Sequence, residues 1–131
     1  VGGVDLMSNG LASIMTPKTA VAIQGLSAGI LSWFSSAIGV VWPTMVPTVG
    51  SIAAQVGVKP DGLITIMCLT ASFAGFSPAS TGGSLIMAAN ATDPDFTKEK
   101  ENKLFIQMFG LSGLLLFLTV LAGLLGVYNI L

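Results

Sequence analysis

The sequence predicts an all-α membrane protein: an interfacial helix, a re-entrant helical hairpin, a transmembrane helix broken at its middle, and one continuous transmembrane helix. Three observations carry this expectation. Apolar residues make up 53% of the 131 residues and charged residues 8%, where a soluble domain carries about a quarter charged. Seven of the eleven charges (Asp93, Asp95, Lys98, Glu99, Lys100, Glu101 and Lys103) crowd into one short stretch. Three uncharged windows remain, 19–58, 62–92 and 104–131. A helix needs about 20 apolar residues to cross a bilayer. The last two windows therefore fit one crossing each, and the first, with 40 residues, fits two passes or a re-entrant pair.

The same composition narrows the function classes. The net charge is −1, with no Arg, no His and no basic patch, so nucleic acid is not an expected partner. The single cysteine, Cys68, lies in an apolar run and reads as a small packing residue. The chain opens on Val and shows no basic region ahead of an apolar core. It is expected to be the C-terminal part of a larger membrane protein.

The first element, 1–15, is amphipathic. Val4, Met7, Leu11 and Ile14 recur at helical spacing with Asp5, Ser8, Asn9 and Ser13 elsewhere, which suits a helix lying in the interface. Thr16-Pro17 punctuates it. The second element, 16–60, begins as a helix rich in small residues, with Gly25 and Gly29 in a GxxxG pair that permits close packing. It reaches a small polar patch at 35–39 and continues through an apolar stretch holding Pro43, Pro47 and Gly50 to the turn Lys59-Pro60-Asp61-Gly62. An apolar, uncharged 43–58 makes a poor aqueous loop. A hairpin with its tip near 35–39 inside the membrane explains it better, and puts Lys18 and Lys59 on the same side.

The third element, 61–92, is expected to be two half-helices around a break at 77–84, the run Ser-Pro-Ala-Ser-Thr-Gly-Gly-Ser. A charged loop, 93–103, follows. The last element, 104–131, reads as a continuous span with Tyr128 as an interface anchor. Three lysines in 93–103 point that loop to the cytoplasm.

A break in a membrane helix needs a reason, because each unpaired N–H or C=O in hydrocarbon costs several kcal/mol. It is tolerable where it is buried in protein or lines a wet cavity. There, a half-helix N-terminus faces an anion and freed carbonyls coordinate a hard cation such as Na⁺. Ser77, Ser80, Thr81 and Ser84 supply hydroxyls, Pro78 stops the helix, and Gly82 and Gly83 allow close approach and any positive φ the turn requires. The alternative is a Pro-kinked helix whose hydroxyls bond back to its own carbonyls. Four hydroxyls, one Pro and two Gly in eight residues suit that alternative poorly.

The stretches "FSSAIGVVWPTMVPTV" (34–49) and "SFAGFSPASTGGSLIMAANA" (72–91) resemble the C-terminal repeat of the malonate/dicarboxylate carrier family, within the divalent anion/sodium symporter and ion transporter superfamily. The resemblance covers nearly the whole chain and departs at the tip, where Ser35-Ser36-Ala37 stands for the family's Ser-Asn-Thr. It implies half of an inverted-repeat secondary transporter that moves a small organic anion by elevator-type alternating access, with segment 1–15 as a linking arm. It implies Ser35, Ser36, Ser77, Ser80 and Thr81 as substrate contacts. Cation coordination, by backbone or hydroxyl, would fall to Ala37, Gly39, Pro78, Ala79, Gly82 and Gly83. Na⁺ is the implied coupling ion, with no organic cofactor. The implied partners are the lipid bilayer and a missing N-terminal repeat, with a homodimer left open, in the bacterial inner membrane. A sodium/proton antiporter or another inorganic-ion permease of the superfamily is the alternative.

An intramembrane enzyme is not expected. Gly25-Leu26-Ser27-Ala28-Gly29 and Gly110-Leu111-Ser112-Gly113 match short serine-hydrolase patterns. However, a serine nucleophile needs a base, and the chain has no His and no Lys within an apolar window.

Overall fold

The computed structural model describes residues 2–130, so Val1 of the first expected segment and Leu131 of the last lie outside the described residues. The chain is helical, with no strand among the described residues. In order it forms α1 (Gly3–Ile14), α2 (Ala20–Trp33), a π-helical turn (Ala37–Val41) running into α3 (Trp42–Val56), α4 (Pro60–Ala74), α5 (Thr81–Asn90), α6 (Lys98–Leu124) and a 3₁₀ turn (Val127–Ile130). Two stretches, Ala37–Val56 and Lys98–Leu124, are long and apolar enough to cross a membrane.

Proline and glycine set most boundaries. Pro43, at the junction of the π turn and α3, and Pro47 further on are both carried inside the continuous helical stretch 37–56. Gly57 ends α3 at φ 77°, with Gly57 N–H and Val58 N–H both donating to the Ala53 carbonyl. Pro60 opens α4, and Gly126, at φ 80°, turns the chain after α6.

Two apolar clusters give the helices their directions. One joins the start of α2 (Ala20, Val21), the end of α3 (Val49, Ile52, Ala53) and the start of α4 (Leu63, Ile66), with Tyr128 packed against it. The other joins Ala28 of α2, Val41 and Met45 at the start of the α3 arm, and Met67 and Ala71 of α4. Thus α2 and α4 run parallel, and the α3 arm returns antiparallel to them. Helix α4 packs most extensively on α2, and α2 and α4 both pack on α6. Small residues permit this closeness. A Cβ on Gly25 would meet Ile66 and Thr70, one on Gly29 would meet Leu116, and one on Gly123 would meet Ile66 and Ala22.

Several expectations need correction. The break lies at 75–80, and Thr81–Ser84 form the first turn of α5. The irregular tip is 34–36, because 37–41 is already π-helical, capped by the Ser36 side chain accepting from Gly39 N–H at 3.1 Å. Residues 98–103 are helix, not loop. Thr97 caps them, its hydroxyl accepting from Lys100 N–H, and Glu99 and Glu101 complement the positive end of the helix. The last span stops at Leu124 and does not continue to the C-terminus. Helix α1 lies along α3, tied by Gln55 Nε2 donating to Asn9 Oδ1 at 3.1 Å. Ser8 is its buried residue, Met7 and Leu11 of the apolar stripe pack against the upper cluster, and the exposed Val4 and Ile14 are compatible with the expected interfacial placement.

Candidate functional site where the tip meets the break

The two irregular segments meet through Ser35 and Thr81, 46 residues apart in sequence. Thr81 N–H, at the start of α5, donates to the Ser35 carbonyl at the tip, 3.3 Å away. One turn below, the buried Ser32 hydroxyl donates to the Ala71 carbonyl at 2.7 Å, stitching the end of α2 to the end of α4. This junction sits partway along α6. Trp33, in the last turn of α2, packs on Phe109 with ring centroids 5.4 Å apart, and its indole lies 3.7 Å from where a Cβ on Gly113 would stand. At 1.5 Å per residue, Phe109 is about 17 Å from the start of α6 and about 22 Å from its end. The hairpin therefore rises to about half the height of the long helix.

Ser80 organises the break. It is 2% exposed and caps α5, its Oγ accepting from Gly83 N–H at 3.1 Å. The same hydroxyl has one proton to give and lies within reach of two carbonyls, Gly75 at 2.6 Å and Ser77 at 2.7 Å. Ser77, fully buried, accepts from Ala79 N–H at 3.3 Å. Pro78 is buried and Ala79 exposed. Gly83 is buried directly against the backbone of Ser77 and Pro78, and a Cβ there would overlap the Ser77 carbonyl. A Cβ on Gly82 would stand 3.1 Å from the Gly75 carbonyl. Neither glycine has a positive φ, which corrects that expectation. The close approach Gly83 serves is to its own chain.

The hydroxyls therefore divide into two groups. Ser35 Oγ bonds back to the Leu31 carbonyl, Ser36 caps the π turn, Ser84 bonds back to the Thr81 carbonyl at 3.0 Å, and Ser77 and Ser80 brace the break. Thr81 alone among these has an exposed side chain outside this bonding. Beside it, the Gly82 N–H and the carbonyls of Pro78 and Ala79 are not drawn into backbone hydrogen bonds. Ala37 is half-buried, packed against the upper cluster, and Gly39 is exposed.

The exposed residues of the junction, Ala79, Thr81 and Gly82, thus offer one hydroxyl, one amide N–H at a helix N-terminus and the Ala79 carbonyl oxygen. These groups can hydrogen-bond an anion and ligate a hard cation. Among the described residues, no cluster of three His, Cys, Asp or Glu side chains forms. Sequence reasoning missed Ser32, which in a helix that also holds Gln24 and Ser27 carries no sign of its buried bond to α4. It also missed Trp33, whose indole N–H is buried beside the junction without a partner among the described residues. Compared with known proteins, the chain matches no family model, no curated protein and no solved structure.

Proposed function

We propose that this chain is the C-terminal half of a secondary active transporter in a bacterial inner membrane. It carries a small organic anion of the dicarboxylate kind, coupled to a cation such as Na⁺, by elevator-type alternating access. The observation that carries the reading is the hydrogen bond from Thr81 N–H to the Ser35 carbonyl, halfway along α6. If α6 spans the bilayer, the junction of two non-helical segments lies near its midplane. Irregular backbone is tolerated there where it borders protein or a solvated cavity. The 37–56 stretch, although long enough to cross by itself, is read as the returning arm of a re-entrant hairpin. Its two flanking lysines, Lys18 and Lys59, follow the directions of α2 and α3 to the same end.

Charge chemistry supports the reading. Without Arg or His, this half has no buried cationic side chain with which to hold a carboxylate. Stabilisation comes from the α5 N-terminus, the Thr81 hydroxyl and a bound cation. Such partial charges count for more in a low-dielectric surrounding than in water.

The test is uptake into proteoliposomes by the whole protein of which this chain is read as one half. A panel of mono- and dicarboxylates is offered with and without a Na⁺ gradient. Saturable, cation-dependent uptake of a dicarboxylate is expected, weakened by Thr81→Ala. The absence of uptake for every anion under both conditions would sink the proposal.

A further inference from the structure

The buried hydroxyls within helices mostly bond inside their own helix. Ser8, Thr48, Thr70, Ser112 and Thr119 each donate to a carbonyl three or four residues back, the usual arrangement for Ser and Thr in a helix. Ser32 departs from this pattern. It is fully buried in α2, and its hydroxyl crosses to the Ala71 carbonyl of α4 at 2.7 Å. No other side-chain hydrogen bond joins α2 to α4 among the described residues; Gln55 to Asn9, the remaining one between helices, is exposed and ties α3 to α1.

The Ser32 bond closes a ring. The Ala71 carbonyl also accepts from Gly75 N–H at 3.1 Å, where α4 ends. The Gly75 carbonyl lies 2.6 Å from Ser80 Oγ, and the next residue, Thr81, donates its N–H to the Ser35 carbonyl at 3.3 Å. Ser35 N–H donates to the Ser32 carbonyl at 3.3 Å, and the Ser32 hydroxyl returns to Ala71. Two links of this ring cross between the hairpin and the broken helix. The one at Ser32 is short and buried; the one at Ser35 is long and ends on the exposed Thr81. Elsewhere α2 meets α4 through small and apolar groups, with Gly25 against Ile66 and Ala28 clustered with Met67. Such surfaces set no register along the helix axis, whereas a hydrogen bond is directional. We infer that Ser32 is the positioning residue of the junction. Its hydroxyl fixes how far α2 reaches along α4, and so keeps the Ser35 carbonyl on the Thr81 amide. Its consequence for transport rests on the function proposed above: Ser32 governs anion binding without touching the anion.

Residue-resolved amide hydrogen exchange in the detergent-solubilised full-length protein tests this, with rates expressed as protection factors. In the unsubstituted protein Thr81 is expected to be protected several-fold more than Gly82, whose N–H has no backbone acceptor. Ser32→Ala is expected to remove that difference. Ser112→Ala, which deletes a hydroxyl bonded within α6, is expected to leave Thr81 protected whatever its effect on Tm. Protection of Thr81 that survives Ser32→Ala, or that is lost equally in Ser112→Ala, would overturn the inference. So would a Thr81 no better protected than Gly82 in the unsubstituted protein, a result that decides the matter even if Ser32→Ala does not fold. In the uptake assay Ser32→Ala is expected to raise KM several-fold with kcat little changed, the pattern of lost ground-state binding; a lowered kcat at unchanged KM would count against it. Exchange is measured without substrate, so its failure is distinct from failure of the transporter reading, which shows as no uptake by the unsubstituted protein.

Discussion

Gly82 and Gly83 are adjacent in sequence but differ in what surrounds them. A Cβ at Gly83 overlaps backbone, which cannot rotate away, whereas at Gly82 it comes within 3.1 Å of a single carbonyl. Gly83→Ala is therefore expected to destabilise by about 1–3 kcal/mol, the range for overpacking, and Gly82→Ala by less. Gly50, mid-helix in α3 with open space around it, should show the opposite sign. There Gly→Ala stabilises by about 0.5–1 kcal/mol through helix propensity. Thermal melts of the three variants check the ordering. A second contrast lies in the hydroxyls. Ser80→Ala removes a helix cap and a brace across the break, so a loss of about 1–2 kcal/mol is expected. Thr81→Ala removes an exposed hydroxyl outside that bonding and should leave Tm unchanged while weakening anion binding. Equal Tm losses in the two would contradict this division of labour.

At the scale of elements, close helix packing holds the junction at its height. Gly29 lets α2 approach α6 across Leu116. Gly29→Val would add a branched side chain where even one carbon crowds Leu116. It should cost about 1–3 kcal/mol and loosen the Trp33–Phe109 contact, visible as a shift in tryptophan fluorescence. The start of α6 is a separable feature. The Thr97 hydroxyl and the exposed Lys98–Glu101 ion pair at 3.0 Å hold its first turn in water, and exposed pairs contribute little. Thr97→Ala should therefore fray 98–103, with faster amide hydrogen exchange confined to that turn, and leave the apolar part of α6 unaffected.

For the whole molecule, the directions of the helices make a topological prediction. Lys18 and Lys59 sit at one end of the bundle, and Lys98, Lys100 and Lys103 at the opposite end of α6. Cysteines at positions 18, 59 and 100 in a Cys68→Ala background, probed in intact membranes with an impermeant thiol reagent, should label in two groups. Positions 18 and 59 are expected to react from the same side and position 100 from the other. Labelling of 18 and 59 from opposite sides would make 37–56 a true crossing and would remove the hairpin.

The all-helical class, the helix punctuation and the approximate location of both irregular segments were legible in the sequence, because each depends on local chemistry. Charge depletion, proline's missing donor and the frequency of Gly and Ser act within a few residues. The start of α6 is as local, since Thr97 caps it, yet it lies inside the charged stretch 93–103 whose composition reads as a loop. What the tertiary structure alone decided depends on residues far apart in the chain. The meeting of Ser35 with Thr81, the bond from Ser32 to Ala71, and the backbone that forbids a side chain at Gly83 are set by how α2, α4 and α5 pack. So is the fate of the hydroxyls. Ser77, Ser80 and Thr81 look alike as a polar run, yet two are committed to bracing the break and one is left exposed. A hydroxyl can bond to whatever carbonyl the fold brings near, and the sequence pattern does not record which carbonyl that is.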